Sequence, residues 1–258
     1  MSTTQTQMAP SELTAAANGP EIPPLTYTIA QTAEEKRNAL RLVADTIAQQ
    51  RQVASTTIIF HPATLGPFAA VLAGLVYRRS GSDWVGAVIL ASGVIVAYLA
   101  AIQYYTYDYL SRAERFNWKS FITPVPSSAS EPAQQQDTVM YARYGDHVIA
   151  TLVLRLVEAT TASKMASQQR GTGSSAQVRA WATRLRYRDT GVGGDMLREA
   201  VAFARSSLGP AAAIAFSDSH AHAVDITRHF TAPFARREKR ARQALAQAIK
   251  DVDAAAER

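Results

Sequence analysis

The chain has 258 residues, of which 47% are apolar and 19% charged, and it contains no cysteine. That length allows one large domain or two small ones and is enough to bury a core. The missing cysteines exclude disulfides, zinc–thiolate sites and a cysteine nucleophile, and a net charge of +6 favours acidic partners such as a phosphorylated cofactor, anionic lipid or nucleic acid.

Residues 1–24 are rich in Ser, Thr, Gln and Pro and hold no Lys or Arg. They have neither the basic start nor the apolar run of a signal peptide, and are expected to be a disordered tail. Residues 25–55 read as one unit. Leu25–Ala30 alternates as a short strand, and Thr32 with Glu35 forms a capping box that starts a helix. Leu40, Val43, Ala44 and Ile47 then recur at helical spacing, so one face of residues 33–53 is buried.

Residues 56–110 change character. Ile58–Tyr77 is apolar but carries His61, Pro62, Gly66 and Pro67, and a polar turn follows at Arg78–Asp83. Trp84–Tyr105 is 22 residues without a charge. As a helix it extends about 33 Å, close to the roughly 30 Å of a bilayer's hydrocarbon core. Trp84 lies at one end and Tyr104, Tyr105, Tyr107 and Tyr109 at the other, as in interfacial aromatic belts. The segment therefore predicts a transmembrane helical hairpin of two helices, the first kinked or re-entrant. Arg41, Arg51, Arg112, Arg115 and Lys119 flank it, against Arg78 and Arg79 in the turn, which favours both tails on the cytosolic side. The particular membrane is left open.

Residues 111–137 read as a linker, Pro/Ser/Gln-rich from residue 120, and residues 138–230 as a compact α/β unit. Thr138–Tyr144 and His147–Val157 predict a hairpin, with Gly145 suited to the first position of a type II′ turn. A polar loop at 160–176 precedes a strand at Gln177–Arg186. Its Gly171–Ser175 stretch lacks the basic residue and following helix of a phosphate loop. Gly193–Leu208 is an amphipathic helix stopped by Gly209 and Pro210, Ala211–Ser217 is a buried strand, and residues 221–230 form a short helix. Residues 231–258 hold a basic C-terminal helix from about Ala235, with an apolar stripe at Ala241, Leu245, Ala248, Ile249 and Val252. Its cations read as a plain solvated face, as contacts for anionic lipid head groups or as a nucleic-acid surface. The last lacks interleaved aromatics, and nucleic acid is not an expected partner.

The chemistry-bearing stretch is Arg188–Gly194, between a strand and a helix. A helix N-terminus presents unpaired N–H groups and partial positive charge, and glycines let the backbone approach an anion. The stretch suits a pyrophosphate, with Arg188 able to add a charge-assisted bond. It lacks the Gly-Lys-Ser/Thr of a P-loop, and the first glycine and acidic partner of a dinucleotide fingerprint. Arg184, Arg186 and Arg188 alternate and would line one strand face, either meeting phosphates or forming a solvated edge. Asp218, His220, His222, Asp225 and His229 cluster in sequence, but histidines two apart do not share a helix face and no His-Glu-x-x-His is present, so no metal is expected.

Arg188, Gly191 and Gly193 match the Arg/Gln-x-x-Gly-x-Gly/Ala signature of the GCN5-related N-acetyltransferase superfamily. With the order of elements over residues 25–55 and 136–230, the chain resembles that superfamily, and the hairpin ahead of the core gives it a camello-like organisation. The resemblance implies a mixed central sheet flanked by helices, with acetyl-CoA as co-substrate. Ala182, Thr183 and Arg184 would meet the pantetheine arm at the splayed end of the fourth strand. Arg188, Asp189, Thr190, Gly191, Val192, Gly193 and Gly194 would meet the pyrophosphate. It implies direct acetyl transfer to a small-molecule or peptide amine, with no acyl-enzyme. The family often places a Tyr acid after its fifth strand; the best register puts Thr227 there and His220 at the preceding Asn. His220 is the candidate catalytic group in place of that Tyr, with His222 and His229 as alternatives. Loss of the Tyr also admits a non-catalytic acyl-CoA-binding membrane scaffold.

Overall fold

The computed structural model describes residues 23–81, 83–123, 136–157, 174–218, 220–222 and 230–256. The tail up to residue 22, the Pro/Ser segment 124–135, most of the loop before Ser174 and the expected short helix after His222, with Thr227 and His229, lie outside them.

Strand β1 (Leu25–Ile29) leads into helix α1 (Ala33–Ile59). The capping box is formed: Glu35 N–H donates to Thr32 Oγ1 at 3.2 Å, and Glu35 Oε2 accepts from Thr32 N–H at 3.1 Å. Helices α2 (Pro62–Ser80), α3 (Trp84–Tyr105), α4 (Tyr107–Glu114) and α5 (Trp118–Ile122) follow. Then come β2 (Thr138–Tyr144), β3 (His147–Val157), β4 (Ser175–Thr183), α6 (Val192–Leu208), β5 (Ala213–Phe216) and α7 (Ala232–Ala256). Gly145 turns the β2–β3 hairpin with φ +58°, while Asp146 keeps a negative φ, as the first position of a type II′ turn requires.

The sheet has the order β1–β2–β3–β4–β5, antiparallel throughout except for the parallel pair β4–β5. Helices cover both faces, so the protein is α/β with a five-stranded mixed sheet. On one face Met140, Leu152, Leu154 and Val178 pack on Met196, Leu197 and Val201 of α6 and Leu245 of α7. On the other, Val139, Tyr141, Val153 and Ala180 pack on Leu40, Val43 and Ile47 of α1 and Ile122 of α5.

The linker expected from residue 111 is not one there. Ile122 is buried, and Asp137 N–H bonds Ile122 O at 2.9 Å. The carboxylate of Asp137, fully buried, receives Arg155 Nε at 2.7 Å and Arg179 Nη1 at 2.5 Å. Phe116, Phe121 and Ile122 supply the apolar area that the linker reading overlooked.

Helices α2 and α3 project as an antiparallel pair, with Phe68 stacked on Tyr98 at 4.1 Å between ring centres. Of the expected pair of spanning helices, the stretch Trp84–Glu114, which joins α3 and α4, meets the length and apolarity of a span by itself. In its apolar window 11% of the residues are buried. Helix α2, carrying Pro67, passes only together with α1, from which it bends by 55°.

Candidate functional site

The site is built by a bulge. Val153 pairs with Ala180 and Leu154 with Val178, so Arg179 is an extra residue in β4. A bulge reverses the faces beyond it. Ala176 and Val178 therefore face α6, whereas Ala180 and Ala182 face α1. At the same point β5 departs: its register with β4 ends at Val178–Phe216, Ser217 N–H caps Val178 O at 3.0 Å, and Ala221 N–H caps Arg179 O at 2.8 Å. Ala182 and Thr183 thus continue along β3 past the last parallel pair, and among the described residues no strand pairs with them on the β5 side, which leaves a gap between β4 and the described chain leaving β5.

The reversal turns Trp181 and Thr183 toward the first turn of α6. Trp181 Nε1–H donates to Gly193 O at 3.2 Å. A β-carbon on Gly193 would lie 3.1 Å from the Trp181 ring and 3.2 Å from Thr183 Oγ1, so Gly193 is bare because the helix must seat against β4. Gly191 serves differently. Its φ is +94°, it caps α6, and the space around its missing β-carbon is open. Asp189 also takes a positive φ, +63°. The helix ladder begins with Gly194 N–H and Asp195 N–H on Gly191 O, at 2.8 and 3.1 Å. The amides ahead of Gly194 have no carbonyl one turn back to bond, as at any helix start. Asp195 puts a carboxylate in this first turn, paired with Arg198 at 2.5 Å.

The strand ends at Thr183, not at Arg186. Leu185–Tyr187 forms a 3₁₀ turn, so Arg184, Arg186 and Arg188 do not line one strand face. Arg184 and Arg186 are exposed, and Arg184 N–H is bonded to Ile149 O at 2.8 Å. Arg188 turns back into the gap. Its Nε donates to Thr183 O at 3.1 Å and its Nη2 to Gln49 Oε1 at 3.0 Å. Burial and the nearby Arg237 charge lower its pKa.

Of the three candidate histidines, His220 and His222 are among the described residues, with ring centres 6.5 Å apart, and they face different helices. His222 faces α1: its Nε2 is 2.8 Å from Thr46 Oγ1, and its carbonyl accepts from Gln50 Nε2 at 3.3 Å. Thr46 spends its own proton on Val43 O at 2.8 Å, so His222 donates from Nε2. Burial first, then the charges of His220 and Arg188, push its pKa down to about 4. His220 faces α7. Its ring is 6.5 Å from that of Phe216, and it lines a cavity of about 90 Å³ with Ser217, Asp218, Glu238 and Arg242. Burial lowers its pKa and the Glu238 carboxylate opposes that shift.

Sequence reasoning did not identify Thr46, Gln49 and Gln50, which hold Arg188 and His222 from α1. Among the described residues no three metal-ligating side chains converge. Comparison with protein-family models, curated proteins and solved structures finds no match to this chain.

Proposed function

We propose that the protein is a membrane-anchored N-acetyltransferase that moves acetyl from acetyl-CoA directly to a small-molecule or peptide amine. The observation that carries the reading is the opening of β4 from β5 beside the positive-φ Gly191 that starts α6. A strand edge released from its neighbour offers unpaired backbone groups to an extended amide-bearing arm. The α6 N-terminus offers amides and partial positive charge to a pyrophosphate. Open space at Gly191 and the cations of Arg184, Arg186 and Arg188 suit such a ligand. This arrangement supports the resemblance to GCN5-related N-acetyltransferases and a GNAT-like fold.

Acetyl-CoA would bring its own activated thioester, so the chain's tasks are binding, orientation and proton handling. Ala182 and Thr183 would align the pantetheine arm, and Arg188 through Gly194 would hold the phosphates. Of the two histidines, His222 is too weak a base to take a proton from an ammonium near neutral pH, and its role is to pin α1 to the turn after β5. His220, beside Glu238, is the proton-handling candidate.

The exposed apolar rows of α3 support the membrane anchor. Ser92 donates to Ile89 O at 2.8 Å within its own helix, which satisfies its hydroxyl without water. The positive flanks place the α/β unit on the cytosolic side in this reading.

The test is amine-dependent release of CoA thiol, which a thiol reagent reads without background because the chain has no cysteine. Turnover lost in His220→Ala supports the reading. Acetyl-CoA binding without release across an amine panel would leave the acyl-CoA-binding scaffold instead, the reading favoured by Thr227 at the family's Tyr position.

A further inference from the structure

The basic start of α7 lies at the foot of the apolar helix pair. Phe234, in the first turn of α7, is buried against Ala54 of α1 and Tyr109 of α4. One residue on, Ser55 bonds Thr106, the C-cap of α3, at 3.0 Å. Arg51 Nη2 reaches Gln103 Oε1 at 2.6 Å, and Tyr98 O–H reaches Ile59 O at 3.1 Å. Phe230 sets its ring edge-on to His61, the N-cap of α2, at 5.0 Å. Taken together, these contacts put the start of α7 near the level where α3 ends its apolar run.

Residues 236–242 hold five cations and one carboxylate, Glu238. Glu238 pairs with Arg242 at 2.5 Å, and both line the His220 cavity. Arg237 lies close enough to Arg188 to lower its pKa. Arg236, Lys239 and Arg240 remain, all exposed and spaced to share one helix face. That face is opposite the one that carries Phe234, Leu245 and Ala248 into the core. Long basic side chains at this level can lay their stems on apolar surface and their charges among phosphates.

We infer that Arg236, Lys239 and Arg240 form a contact for anionic phospholipid head groups of the leaflet from which α3 emerges. The inference rests on the membrane reading above. Charge complementarity and continuity with the apolar pair select lipid over nucleic acid, for which no aromatic residues are interleaved among the cations. The contact fixes α7, and with it the His220 cavity, against the membrane surface.

The test uses the full chain in nanodiscs of phosphatidylcholine alone or of an equal mixture with phosphatidylserine, with nitroxide-labelled lipid as quencher. Absence of native cysteine allows single probes at Ile95→Cys on α3 and Ala235→Cys on α7. The Ile95 probe is expected to be quenched in both lipids. The Ala235 probe is expected to be quenched more strongly with phosphatidylserine. That gain should disappear in the Arg236→Glu, Lys239→Glu, Arg240→Glu variant, since each basic residue near an anionic leaflet contributes about fivefold. An Ile95 probe shielded from lipid would overturn the membrane reading and this inference with it. A quenched Ile95 probe with Ala235 indifferent to phosphatidylserine or to charge reversal would overturn the lipid contact alone. Charge-reversal-sensitive oligonucleotide binding with that same indifference would assign the patch to nucleic acid and equally overturn it.

Discussion

Thr46 and His222, 176 positions apart, meet at 2.8 Å and join the middle of α1 to the turn that follows β5. The pair closes one side of the gap, so its loss should loosen the site before it unfolds the sheet. Thr46→Val leaves His222 Nε2–H without its acceptor and should cost about 1–3 kcal/mol in chemical denaturation. An unchanged midpoint would show that the pair is not formed.

The same histidine sets a pH dependence. Its pKa falls from 6.5 to about 4 on folding, so the unfolded chain binds more protons between those values. Stability is then full above pH 6.5 and falls as pH drops toward 4, by up to about 3 kcal/mol. His222→Phe should remove that slope. A slope retained in the variant would place its origin elsewhere.

Gly193 and Gly194 are adjacent and should respond oppositely to alanine. At Gly193 the new β-carbon meets Trp181 at 3.1 Å, and overpacking of this kind costs about 1–3 kcal/mol. At Gly194 the nearest atom is Arg198 Nη1 at 4.0 Å, and alanine should stabilise α6 by up to about 1 kcal/mol. Thermal melts of the two variants check the sign. Equal effects would contradict the seating of α6 on Trp181.

This pair also shows why the site was only half legible in the sequence. The glycine-rich start of α6 and its preceding cations were visible as residues. The bulge was not. Ala176, Val178, Ala180 and Ala182 read as one unbroken alternation, yet the extra Arg179 sends the first two to α6 and the last two to α1. Small residues fit either face, so the pattern carries no trace of the inversion. Thr46, Gln49 and Gln50 were hidden for another reason. Polar residues on an amphipathic helix look solvated until the partners that reach them from residues 188 and 222 are placed. The five strands themselves followed from β-branched runs and turn residues, with ends shifted by up to a few positions.

Asp137 anchors the middle of β4 at the bulge. With its carboxylate fully buried between Arg155 and Arg179, Asp137→Ala leaves two largely buried guanidinium groups without their counter-charge and should cost about 3–5 kcal/mol. Urea unfolding measures it. A loss below about 1 kcal/mol, the scale of a surface pair, would contradict the buried network.

The proposed membrane anchor leads to a separate prediction. Val96 is 65% exposed on α3. Val96→Asp should weaken bilayer insertion by about 2.5–3.5 kcal/mol near the helix centre, read by alkaline extraction of membranes. Extraction unchanged by the charge would argue that α3 does not enter lipid.

The central claim is that the gap between β4 and β5 holds acetyl-CoA against the N-terminus of α6. Calorimetric titration of acetyl-CoA into the detergent-purified full chain tests it most directly, beside Gly194→Glu. A β-carbon fits at that position, and a carboxylate in the first turn favours the helix, so the fold should be kept while an anion is repelled. The account predicts saturable binding, weakened about tenfold or more in the variant as charge-assisted bonds to phosphate are lost. No binding by the folded wild-type protein, or equal binding by both, would contradict it.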